Sequence, residues 1–95
     1  MSKQQNITLD TERHEVKECG REIDLKPKEF EIFSYLMKQG GKVVSRKTLL
    51  REVWGVKSVS FIQTRTIDQH VARLRKKFRK SPIKTVPLYG YKFKA

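Results

Sequence analysis

The 95 residues include one cysteine, Cys19, so no intrachain disulfide can form. A thiol-based zinc site would need partners, and only His14 and His70 offer imidazoles. No apolar run approaches the roughly 18–20 residues that a membrane span requires. The opening stretch Met1 to Asn6 is polar and lacks the apolar core of a signal peptide. These absences imply a reducing, cytoplasmic setting with no membrane span in this chain. Catalytic groupings are missing too. There are no paired carboxylates, no serine-histidine-aspartate set, no glycine-rich phosphate loop and no metal cluster. The chain therefore does not read as an enzyme, and nothing in it calls for a cofactor or a metal. Its length suits a single domain over residues 1–95 with a modest core.

Acidic side chains become scarce after residue 24. Residues 1–24 hold four basic and six acidic side chains, a net of −2. Residues 25–95 hold eighteen basic and four acidic ones, a net of +14. From Gln69 to Ala95 there are nine basic residues and no acid. A basic surface can serve solubility alone. A stretch this free of acid repels itself, however, and is best compensated by an anion. Nucleic acid is the anion this pattern favours, with acidic membrane surface as the second candidate.

The hydrophobic pattern gives an α+β order. Ile7 and Leu9, then His14 to Glu18, then Glu22 to Leu25 alternate in short runs, with Cys19–Gly20 as a turn. They predict a three-stranded antiparallel sheet within residues 1–26. Lys26–Pro27 opens a helix, since proline loses nothing in a first turn and Glu29 and Glu31 suit the positive end of the dipole. Phe30, Phe33, Leu36 and Met37 form its buried face, and Gly40–Gly41 ends it. Val43–Val44 reads as a short extended link. Ser45 caps a second helix that buries Leu49, Leu50, Val53 and Trp54. After a loop over 55–63, a third helix runs from Thr64 to Lys80, closing a three-helix core over 27–80. Ile83–Val86 and Tyr91–Lys94, joined by a Pro87–Gly90 turn, form a C-terminal hairpin over 83–94.

On a wheel of about 100° per residue, Ile67, Val71, Leu74 and Phe78 fall within one narrow stripe. Burying these four contributes about 6–12 kcal/mol before conformational entropy is subtracted. Opposite them lie Arg65, Gln69, Arg73, Lys76 and Lys80, with Ala72 at the edge. An ordinary solvated face would alternate in sign so that charges pair along the helix. Here Asp68 is the only acid among seven bases between Arg65 and Lys80. Such a face suits the major groove. Arginine can fork onto guanine, glutamine onto adenine, and a methyl group can touch thymine. Arg75 and His70 lie on the flanks, placed for phosphates rather than base edges. For His70 a half-buried, satisfied imidazole is an equal alternative.

The segment Arg65-Thr66-Ile67-Asp68-Gln69-His70-Val71-Ala72-Arg73-Leu74-Arg75-Lys76-Lys77 resembles the recognition helix of OmpR/PhoB-type effector domains of bacterial response regulators. Leu25 to Phe30, Val44-Ser45-Arg46, Leu49 to Gly55, Thr85-Val86 and Gly90 to Phe93 match the same family in order. The resemblance implies a winged helix-turn-helix with an N-terminal antiparallel sheet, three helices and a β-hairpin wing. It implies a transcription regulator of a two-component system that binds promoter double-stranded DNA, with two copies pairing on direct repeats. By position, Gln69 and Arg73 would read bases, while Arg65, His70, Arg75 and Lys76 would hold phosphates. The 56–63 loop would be the segment that touches RNA polymerase. Its apolar members are Phe61 and Ile62, and covering the core is the plainer role for Phe61.

Two departures stand out. The family wing usually reads T-V-R-G-x-G-Y, with an arginine for the minor groove; this chain has Pro87 and Leu88 there. Ala72 also replaces a residue that is commonly basic. Lys84 and Lys92 (with Lys94) remain for phosphates. Tyr89 is placed for a wing-tip contact or for packing, and Tyr91 for packing. An unusual target site is implied, or weak monomer affinity offset by dimerisation. The alternative function is a protein-interaction module that kept the fold without DNA reading.

Overall fold

The computed structural model describes residues 6–55 and 63–94. Three strands come first, β1 (Ile7–Asp10), β2 (Glu15–Glu18) and β3 (Arg21–Ile23), in an antiparallel sheet of order β1-β2-β3. Glu18 faces Arg21, so Cys19–Gly20 is a two-residue hairpin turn. Both turn residues have positive φ, 53° and 83°, as this tight hairpin class requires. Val16 and Ile23, opposed in the register, point inward and are buried.

Helix α1 (Pro27–Lys38) follows, with proline in its first turn. Phe30, Ile32, Phe33 and Leu36 are buried, while Met37 is only half-buried. The buried face thus rotates toward Ile32, because α1 is covered on several sides rather than along one stripe. Helix α2 (Arg46–Trp54) is capped by Ser45, whose Oγ accepts from the Thr48 N–H at 3.1 Å. Leu49, Leu50 and Val53 are buried and Trp54 is half-buried.

The expected link at Val43–Val44 contains a strand. Strand β4 (Val44–Ser45) pairs with β6 (Gly90–Phe93), which also pairs with β5 (Ile83–Val86), giving the order β4-β6-β5. Gly90 lies opposite Ser45, and a Cβ on it would overlap the Val44 carbonyl. That close approach makes Gly90 part of the strand, so the turn is Pro87–Tyr89. The hairpin is thereby stitched to the α1–α2 connection.

Helix α3 runs over Arg65–Lys76, four residues short of the end expected at Lys80. The cause is Glu18, a buried carboxylate on β2. Its Oε1 accepts from the Arg79 N–H and its Oε2 from the Lys80 N–H, each at 2.9 Å. Amides committed to that carboxylate do not serve helix carbonyls, and Pro82 disfavours helix at the residue before it. Phe78 is still buried, stacked on Phe33 with ring centroids 5.3 Å apart. One core cluster unites both sheets with all three of these helices.

Candidate nucleic-acid interface

Ile67, Val71 and Leu74 of α3 are completely buried, so the opposite face of that helix is turned outward. Its two flanks are occupied by other elements, and these define what remains open.

On one flank Asp68 sits beside the hairpin. Its Oδ1 accepts from Arg46 Nε at 2.7 Å and from the Tyr91 hydroxyl at 2.5 Å. The Arg46 and Arg75 guanidinium carbons lie 5.2 and 5.3 Å from the Tyr91 ring centre. Arg75 also donates to Thr85 Oγ1 at 2.5 Å. Burial works to raise the Asp68 carboxyl, but the Tyr91 hydroxyl and Arg46 outweigh it, so it titrates below the usual aspartate range. Burial, reinforced by Asp68, pushes the Tyr91 phenol upward. Asp68 thus does not neutralise the outer cations of α3. It ties α3 to α2 and β6.

On the other flank lies Glu29, fully buried in the first turn of α1. Glu29 Oε1 accepts from the Lys26 N–H at 3.0 Å and from Lys77 Nζ at 2.7 Å. Arg73 Nε stands 3.8 Å from Glu29 Oε2. Burial opposes ionisation here too, and Lys77, the Lys26 N–H and Arg73 together hold the carboxyl below the usual glutamate range. Further along, His70 Nδ1 is 2.8 Å from the Thr66 carbonyl oxygen, so Nδ1 carries the proton that is donated. The imidazole meets Trp54 edge-on at 5.1 Å between ring centres.

Between these flanks Arg65, Gln69, Ala72 and Lys76 are exposed. Among the described residues, no side-chain hydrogen bond or ion pair holds Arg65, Gln69 or Lys76. Arg73 stands at the edge of this sector, half-exposed and next to Glu29. His70 is half-buried, as one of its two sequence readings expects, and Arg75 is spent largely on the hairpin. Lys80 is exposed but has left the helical wheel, since its backbone is bound at the N-terminal sheet. On the hairpin, Lys84 and Lys92 are cross-strand partners, and Tyr89 is exposed at the tip. Tyr91 is buried, matching its assignment to packing. The 56–63 loop with Phe61 and Ile62 lies, but for Gln63, outside the described residues.

Sequence reasoning did not anticipate Glu18, Glu29, Lys77 or Arg46 as structural partners. The mates that join them to other elements are 22 to 62 residues distant. The local signals are Glu29 at the third helical position, where a carboxylate reaches back to the capping N–H, and Arg21 three residues beyond Glu18.

This assembly of sheet, three helices and stitched hairpin recurs in known proteins. Residues 20–93 match the family described as transcriptional regulatory protein, C terminal. The chain belongs to that family. It is 40% identical over 94 residues to the sensory transduction protein RegX3 of Mycobacterium leprae, covering 94% of this chain and 46% of RegX3. It is 43% identical over 94 residues to the transcriptional regulatory protein ResD of Bacillus subtilis, covering 93% of this chain and 38% of ResD. The chain therefore spans less than half the length of these relatives. Among solved structures, the AdeR DNA-binding domain in complex with an intercistronic region superposes with a TM-score of 0.80. That match has 29% identity and covers 94% of this chain and 93% of the AdeR domain. The winged-helix architecture expected from the sequence is thus the architecture of this family. No helix among the described residues is long and apolar enough to cross a membrane.

Proposed function

We propose that this C-terminal regulatory domain binds double-stranded promoter DNA by laying the outward face of α3 in the major groove. The observation that carries the proposal is the open sector of Arg65, Gln69, Ala72 and Lys76, with Arg73 at its edge. The one acid on this helix, Asp68, is turned away and already paired. Gln69 and Arg73 have the hydrogen-bonding geometry for adenine and guanine edges. In this reading Arg65, His70, Lys76, Lys84 and Lys92 hold phosphates, and Tyr89 makes a contact from the wing. Arg75 supports them from the hairpin junction, and Lys80 adds charge beyond the helix.

In this reading the domain is a response-regulator effector, acting in the cytoplasm on direct repeats with two copies side by side. The 56–63 segment is then the surface offered to RNA polymerase. No catalytic step belongs to this reading. Titrating duplex binding against salt tests it. With about six phosphates neutralised, the slope of log K against log salt is expected near −5, at about −0.9 per phosphate. A slope shallower than about −2 would overturn groove docking and leave a protein-interaction module in its place.

A further inference from the structure

The wing tip carries a combination that hairpin stability does not explain. Leu88 is 97% exposed and Tyr89 69% exposed, and Pro87 beside them is exposed as well. Leu88 also has φ of +70°, the left-handed region where a side chain is strained and glycine is preferred. The turn itself is closed by the backbone, with the Tyr89 N–H donating to the Val86 carbonyl at 3.0 Å. A leucine here neither packs against the core nor relaxes the turn.

We infer that Pro87, Leu88 and Tyr89 form an apolar wedge for the minor groove of duplex DNA, selecting sites by how easily a base step opens. The inference rests on α3 occupying the major groove. The hairpin is locked to the α3 flank at Asp68 and Arg75, through Tyr91 and Thr85. Grooves alternate along a duplex, so a hairpin beside a helix in the major groove crosses a phosphate backbone toward the adjacent minor groove. Lys84 and Lys92 face each other across β5 and β6. Like charges directly opposed repel, and a phosphate between them removes the repulsion. Those lysines favour DNA over an apolar protein partner as the occupant.

An aliphatic tip cannot read the hydrogen-bond pattern of the minor groove. It can displace water, unstack a step and let Tyr89 lie against an exposed base face. Pyrimidine–purine steps open most readily, so TA and CA steps at the wing position are the expected preference.

The test uses the 95-residue chain on a duplex selected by it from a random pool. The duplex carries 2-aminopurine beside the wing position and a fluorophore pair at its ends. Leu88→Gly removes the wedge and suits the positive φ, and Tyr89→Ser is the second variant. Thermal melts confirm that both fold. The parent chain is expected to raise 2-aminopurine emission and bring the duplex ends closer. Leu88→Gly is expected to abolish both effects. It should weaken binding about tenfold where a TA step lies under the wing, and little where the step is a stiff A-tract. Undiminished distortion in Leu88→Gly, or equal weakening on flexible and stiff sites, overturns the wedge. A protected α3 footprint with no distortion by the parent chain overturns the wedge alone and points to a protein contact at the tip. Absence of any salt-sensitive duplex binding overturns the groove reading and the wedge together.

Discussion

Arg73 and Lys76 are both cations on the outer half of α3, yet their surroundings differ. Arg73 is 54% exposed with its Nε 3.8 Å from the buried Glu29 carboxylate, an ion pair that biases where its planar fork lies. Lys76 is exposed with no such anchor. An oriented fork suits guanine O6 and N7, whereas a flexible ammonium suits phosphate. Arg73→Ala is therefore expected to cost about 1–3 kcal/mol on the preferred site and much less on random DNA. Lys76→Ala should weaken both alike and reduce the salt slope by about 1. Measuring both variants on specific and random duplexes separates the roles. Equal losses for Arg73→Ala on the two duplexes would remove it from the bases. The exposed face was legible from the α3 sequence, because helical spacing alone separates it from Ile67, Val71 and Leu74. The anchoring of Arg73 was not, since Glu29 lies on a different helix.

At the scale of elements, α3 is clamped along both sides by carboxylates that sit below their ordinary titration range. Glu29 joins it to α1, and Asp68 joins it to α2 and β6. Each carboxyl binds its proton less readily in the folded chain than in the unfolded one. The stabilisation is thus complete above the ordinary values of 4.5 for Glu29 and 3.8 for Asp68. It drains away as pH falls through the lowered folded values. Urea midpoints measured from pH 6 to pH 2 should fall steeply at the acid end, and Glu29→Gln combined with Asp68→Asn should flatten that fall. An unchanged acid slope in the double variant would show that neither clamp is coupled to folding. Sequence periodicity placed β1 to β3 and the three helices well, because each run carries its own apolar alternation. It overran α3 at Lys80 and missed β4. The first was decided by the Glu18 carboxylate from β2, and the second by pairing with β6, neither of which is local.

Across the whole molecule, the net charge of +12 is concentrated after residue 24, where self-repulsion opposes compactness. A polyanion that binds only the folded form relieves that repulsion and stabilises by mass action. Random-sequence duplex at about 100 times its dissociation constant should add about 2.7 kcal/mol to unfolding stability. Thermal melts with and without duplex, repeated in high salt, check this. The added stability should vanish as salt rises, and its persistence would show that charge is not the cause. The charge asymmetry was readable from the sequence directly, but which cations remain open was settled only by folding. Arg46, Arg75 and Lys77 are engaged inside the domain, while Arg65 and Lys76 face outward. Because β6 is paired on both sides, with β4 and with β5, residues 87–89 are expected to be exchangeable without moving the strands below them. Randomising those three positions on this scaffold should yield a library of domains that share one docking pose and differ in the flanking DNA they tolerate.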